Sequence, residues 1–101
     1  MRPLTSAERK RLRSLAHALK PVVHVGAAGL SDGVIRSIDA ALEDHELIKI
    51  RFLDPGADKK ELANGIAERT GGHLAGVIGH VAILYRPATD AAQRKIRLST
   101  S

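Results

Sequence analysis

The chain has 101 residues, 44% hydrophobic and 27% charged, which suits one globular domain with a single modest core and is too short for two. No apolar run approaches the roughly 18 to 20 residues of a membrane span, and MRPLTSAERK lacks the apolar segment of a secretory signal, so a cytoplasmic location is expected. The absence of cysteine excludes disulfides and thiolate chemistry, and the net charge of +5 is unevenly spread: residues 1–30 and 69–101 are basic while residues 31–68 are acidic, a pattern that suits one positive face turned to a polyanion.

Thr5-Ser6-Ala7-Glu8 forms a capping box, and the spacing predicts a helix from Ser6 to Leu19 with Leu12, Leu15, Ala16 and Leu19 on its apolar stripe. Pro21 stops it. Val22 to Val25 is short and β-branched and reads as a strand ended by Gly26. After the loop VGAAGLSDGV, Ser31 is a helix N-cap, and Val34, Ile35, Ile38, Ala41 and Leu42 line one stripe of a helix ending near His45.

Leu47 to Leu53 alternates, with Ile48, Ile50 and Phe52 pointing one way and Lys49 and Arg51 the other. Asp54-Pro55-Gly56 is a turn, and a third helix from about Asp58 to Thr70 buries Leu62, Ala63, Ile66 and Ala67 before Gly71-Gly72 ends it. His73 to Ile78 and Val81 to Arg86 close around Gly79-His80 as a hairpin. The order is α-β-α-β-α-β-β, an α/β two-layer sandwich over residues 1–87, with a flexible basic tail over 88–101 carrying Arg94, Lys95 and Arg97.

Residues 26 to 33, GAAGLSDG, contain no Lys and so do not make a P-loop, and GxGxxG is not matched either. Ser31-Asp32 reads as a cap rather than as a nucleophile and its partner, and the five histidines show no HxH or HxxxH spacing. Catalysis, a metal, a cofactor and a small-molecule substrate are therefore not expected. Binding fits better: the basic first helix, the free amides of the Gly loop and the Lys49/Arg51 face can follow a phosphate backbone. Phe52 and Tyr85 are the only aromatic rings apart from histidine, too few for a base-stacking platform, so backbone and shape contacts should dominate.

The stretches LAHALKPVVHVGAAGLSDGVIRSIDAALEDHELIKIRF and TGGHLAGVIGHVAILYRP resemble the YhbY-type CRM domain, over about residues 4 to 87. The shared motifs are the LKPVV entry to the first strand, the GxxG loop before a helix, HELIK, TGG and the terminal LYRP. The resemblance implies a four-stranded mixed sheet with helices, similar to the C-terminal domain of a bacterial translation initiation factor. It also implies a non-catalytic protein that binds ribosomal RNA in pre-50S particles and assists ribosome assembly; separately, a monomer is expected. Family RNA binding centres on the GxxG loop and the basic surface around it. In this chain these are Gly26, Ala27, Ala28 and Gly29, with Arg9, Lys10, Arg13, Lys20, Lys49, Arg51 and Arg86 as candidates for phosphate contacts.

Many such loops carry a basic or polar side chain between the glycines; here both positions are alanine, leaving backbone amides and close approach. The alternatives are a module for other structured RNA or DNA, and a small phosphate-ligand protein. Gly29→Asp is expected to weaken RNA binding without unfolding the domain, as read by a binding titration beside a thermal melt; normal binding by a folded variant would make the loop purely structural.

Overall fold

A computed structural model describes residues 3–88, 90 and 96. The elements are α1 (Ser6–Ala16), β1 (Pro21–Val25), α2 (Asp32–His45), β2 (Leu47–Phe52), α3 (Lys59–Thr70), β3 (His73–Ile78) and β4 (Val81–Tyr85), in the expected order. The capping box is formed: the Thr5 amide donates to Glu8 Oε1 at 2.9 Å and the Glu8 amide to Thr5 Oγ1 at 3.1 Å. Helix α1 stops earlier than its apolar pattern suggested. The His17 amide is shared between the Arg13 and Ser14 carbonyls and Leu19 reaches back only to Ala16, a tightening into the turn that Pro21 requires.

The four strands make one mixed sheet in the order β1-β2-β4-β3. β1 and β2 are parallel, as a helical crossover demands, and β4 runs antiparallel to both of its neighbours, β2 and β3. Strands β2 and β4 are therefore central. Their alternation sends Ile48, Ile50, Phe52, Ala82 and Leu84 into one cluster with Ile38 and Leu42 of α2 and Ala63 and Ile66 of α3. Leu47, Ile83 and Tyr85 face the other way and meet Leu12 and Ala16 of α1, with Ala75 of β3.

Helices α2 and α3 cover one face of the sheet and α1 covers part of the other. A sheet whose two central strands carry apolar residues on both faces must be covered on both. The ridge that docks α1 is Glu8-Leu12-Ala16, all buried, so Leu15 and Leu19 lie on its flank and stay 39% exposed. A bulge in β3 leaves Ala75 out of the pairing with β4. Its carbonyl accepts from Arg13 Nη1 at 3.0 Å, and a Cβ on Gly76 would lie 2.8 Å from Arg13 Cδ, so glycine there lets the arginine cross the strand.

Glu46, at φ 60°, is buried between α2 and β2. Its carboxylate accepts from the amides of Ala88 at 2.8 Å and Ile96 at 3.2 Å, and Ile96 packs on the α1-side cluster. Most of the tail expected to be flexible, including Arg94, Lys95 and Arg97, lies outside the described residues.

Past the end of β4, Arg86 donates from Nη1 to Asp39 Oδ1 (2.6 Å) and the Thr70 carbonyl (2.8 Å), and from Nη2 to the Asp39 carbonyl (3.1 Å) and Glu43 Oε1 (3.3 Å). With its side chain 15% exposed, this guanidinium ties β4 to both helices of one layer. Arg86→Ala is expected to cost about 2 kcal/mol, most of it from the two carbonyls because both carboxylates are solvated, and to lower the melting temperature by on the order of 10 °C. Urea denaturation beside a thermal scan checks this.

Candidate nucleic-acid interface

The placement of α1 opposite α2 and α3 sorts the charges. Helices α2 and α3 with the Asp58 cap hold Asp32, Asp39, Glu43, Asp44, Asp58, Glu61 and Glu68, seven of the chain's eleven acids. The four strands contain no acid at all, and their two cations, Lys49 and Arg51, alternate onto the α1 side. Helix α1 adds Arg9, Lys10, Arg11 and Arg13 against the buried Glu8, and Lys20 follows in the connection to β1. The α1 side thus carries an excess of positive charge, while α2 and α3 with the Asp58 cap, whose seven acids outnumber Arg36, Lys59, Lys60 and Arg69, carry an excess of negative charge, an arrangement that orients a protein on a polyanion.

The cations differ in how they are held. Arg9 donates to the Leu4 carbonyl (2.7 Å) and Ser6 Oγ (3.1 Å), Arg13 to the Ala75 carbonyl, and Lys49 Nζ to the Leu19 carbonyl (3.0 Å). These neutral acceptors fix position and leave the charge uncancelled. Lys10, Lys20 and Arg51 are exposed and have no side-chain partner among the described residues. Arg86 is different in kind. It faces the acidic layer, beyond the end of β4 remote from the Gly loop, and its donors are taken by two carboxylates and two carbonyls. The structure brings the other candidates to one face and leaves Arg86 outside it.

The Gly loop follows β1 at the end of the sheet where β2 also ends. The Gly29 amide donates to the Gly26 carbonyl at 3.0 Å, closing a turn whose exposed corner is Ala27-Ala28. The amides of Ala27 and Ala28 have no acceptor among the described residues and are available to an anion. Gly29 has φ +73°, a conformation that favours glycine; Gly26 does not, and a Cβ at either position would meet nothing within 4 Å. The fold accounts for Gly29. It makes no steric demand for Gly26.

Beyond the turn, Leu30 lies against α3, 3.4 Å from where a Cβ of Gly65 would stand, in ordinary contact. Arg69 holds the same exit, donating from Nη1 to the Leu30 carbonyl and from Nη2 to Asp32 Oδ1, both at 3.1 Å. The N-terminus of α2 is already occupied by Asp32 and capped by Ser31, whose Oγ accepts from the Val34 amide at 3.2 Å.

Residue pairing adds a feature that the residues alone did not reveal. His24 pairs with Arg51, Arg51 with Val81, and Val81 with Ile78, so these four form one row across all four strands on the α1 side. The helix does not cover this row: His24 and Arg51 are exposed and Ile78 is 59% exposed. Both Phe52 and Tyr85 are buried, so no phenyl or phenol ring is offered to a ligand among the described residues. These residues contain no group of three or more His, Cys, Asp or Glu suited to a metal, and no helix long and apolar enough to cross a membrane.

The sequence pattern of the CRS1 / YhbY (CRM) domain matches residues 4–86. A Haemophilus influenzae protein named "RNA-binding protein" is 39% identical over 92 residues, covering 90% of this chain and 93% of its own length. "Probable RNA-binding protein YqeI" of Bacillus subtilis is 35% identical over 91 residues, covering 89% and 95%. The solution structure of the hypothetical protein SAV1595 from Staphylococcus aureus superposes with a TM-score of 0.80 at 37% identity, over 93% of this chain and 99% of the other.

The charge geometry predicts how the protein behaves on a generic polyanion. Lys10→Ala, Lys20→Ala and Arg51→Ala should each elute from immobilised heparin at lower salt than the parent, whereas folded Arg86→Ala should elute with it. A shift for Arg86→Ala equal to the others would mean that its ion pairs open in solution.

Proposed function

Because the chain belongs to the CRS1 / YhbY (CRM) domain family, we propose that it is a non-catalytic RNA-binding protein that engages ribosomal RNA in precursors of the large subunit and assists their assembly. The observation that supports RNA binding most directly is the basic face formed by α1 and the acid-free sheet, beside a loop with two unpartnered amides. The names of the relatives agree with it. The ribosomal step, and with it a cytoplasmic place of action, rests on what the CRM resemblance implies.

Strand β1 separates Lys20 from the Gly loop by roughly 16 Å, so the two ends of the basic face reach different phosphates of one RNA. In this footprint Ala27 and Ala28 present amides to a phosphate, Gly26 permits close approach, and Lys10, Lys20 and Arg51 supply mobile charge. Arg9, Arg13 and Lys49 supply charge at fixed positions, and Arg69 keeps the loop in place without itself touching RNA. Arg86 has a structural part.

In a sucrose gradient at low salt the protein should co-sediment with pre-50S or 50S particles and leave them as salt rises, each phosphate contact adding roughly 0.7 to 0.9 to the log-log slope. A protein that stays at the top of the gradient and ignores rRNA fragments would refute the proposal, and tighter binding to duplex DNA than to structured RNA would replace it with a DNA-binding role. Gly26→Asp is the cleaner loop test, because Gly29→Asp also places a side chain at positive φ, at about 1 kcal/mol. Gly26→Asp should keep its melting temperature and lose at least about tenfold in RNA affinity through a carboxylate set against phosphate.

A further inference from the structure

The row His24-Arg51-Val81-Ile78 combines exposure, charge and apolar surface on the sheet's α1 side. We infer that this open row is a docking surface for unpaired nucleotides of the RNA, distinct in role from the phosphate-binding loop and α1; the inference rests on the RNA-binding reading above.

Three observations converge on that occupant. First, the row is graded: an imidazole and a guanidinium on β1 and β2 are followed by two aliphatic side chains on β4 and β3. A nucleotide has the matching division, a phosphate at one end and an apolar base face at the other. Second, imidazole rings and guanidinium planes are surfaces on which splayed-out bases stack, and with Phe52 and Tyr85 buried they are the planar groups this face has to offer. His24 and Arg51 have no side-chain partner among the described residues, so neither plane is blocked.

Third, the row crosses all four strands near one end of the basic face. With strands spaced about 4.8 Å apart it spans roughly 14 Å, room for more than one nucleotide. It also ends beside the Gly loop. Leu53 donates to the Val25 carbonyl at 2.8 Å and Phe52 to the His80 carbonyl at 2.8 Å, which gathers the Gly loop, the end of β2 and the β3-β4 hairpin at one end of the sheet. A strand leaving the loop would pass over the row.

A second copy of the chain fits this surface poorly. A two-fold contact through it would set Arg51 and the nearby Lys49 against their own copies, with no acid in any strand to offset them. Nucleic acid brings the opposite charge to the same place.

The experiment compares a blunt RNA hairpin with the same hairpin carrying a short unpaired extension, for the parent and for the double variant His24→Ala/Ile78→Ser. Both side chains are exposed and lie outside the phosphate-contacting set, and a thermal melt verifies the fold. The extension should tighten binding to the parent by about tenfold, the scale of one stacked base. The variant should bind the blunt hairpin as the parent does, within about twofold, and gain little from the extension.

No gain for the parent, or the same gain for both proteins, overturns the inference while binding to the blunt hairpin leaves the RNA-binding proposal standing. Failure of the parent to bind either RNA removes both. Concentration-dependent dimers in analytical ultracentrifugation that Ile78→Ser abolishes would assign the row to a second copy and overturn it as well.

Discussion

Strand β2 sets the terms for the rest of the molecule. Ile48, Ile50 and Phe52 are almost wholly buried against α2 and α3, and a period of two leaves Lys49 and Arg51 no choice but the opposite face. Moving the pairing by one residue would bury two cations and expose three large apolar side chains. The register is therefore held by the core, and the position of these two charges follows from it. Leu47 and, on β4, Ile83 and Tyr85 make that opposite face partly apolar, which draws α1 onto it and brings the basic residues of α1 to the same side.

Arginine serves in this domain in two ways that residue type alone does not separate. Where the acceptors are carbonyls and a hydroxyl, as for Arg9 and Arg13, the guanidinium is positioned and its charge still acts outward. Where they include Asp39 and Glu43, as for Arg86, the charge is balanced inside the fold and contributes cohesion. A motif that ends in LYRP places an arginine at the end of a strand. The acids one layer away decide its role.

The Gly loop is held from below and left open above. Leu30 packed against Gly65, and Arg69 bridging Leu30 to Asp32, fix the exit of the turn, while Ala27 and Ala28 project with unpartnered amides. A rigid base with a small-residue tip gives a phosphate backbone a surface it can approach closely, at little entropic cost to the protein. The two alanines thus remove side-chain chemistry from the tip, and the exposed charges lie on the neighbouring face.

Much of this was legible in the residues: the capping box, the seven elements in order, the alternation of β2 and β4, the glycine stop of α3 and the Gly loop all depend on contacts between near neighbours in the chain. What depended on pairing between distant segments was not. The face on which α1 lands, the insertion of β4 between β2 and β3, and the departure of Arg86 from the basic set required the tertiary structure. So did the row His24-Arg51-Val81-Ile78, because 27 residues separate His24 from Arg51 and 30 separate Arg51 from Val81, and only strand register closes such gaps. Which residues alternate, cap and turn follows from rules that act over a few residues of the chain; which charges share a face follows only from the burial of both sides of one sheet.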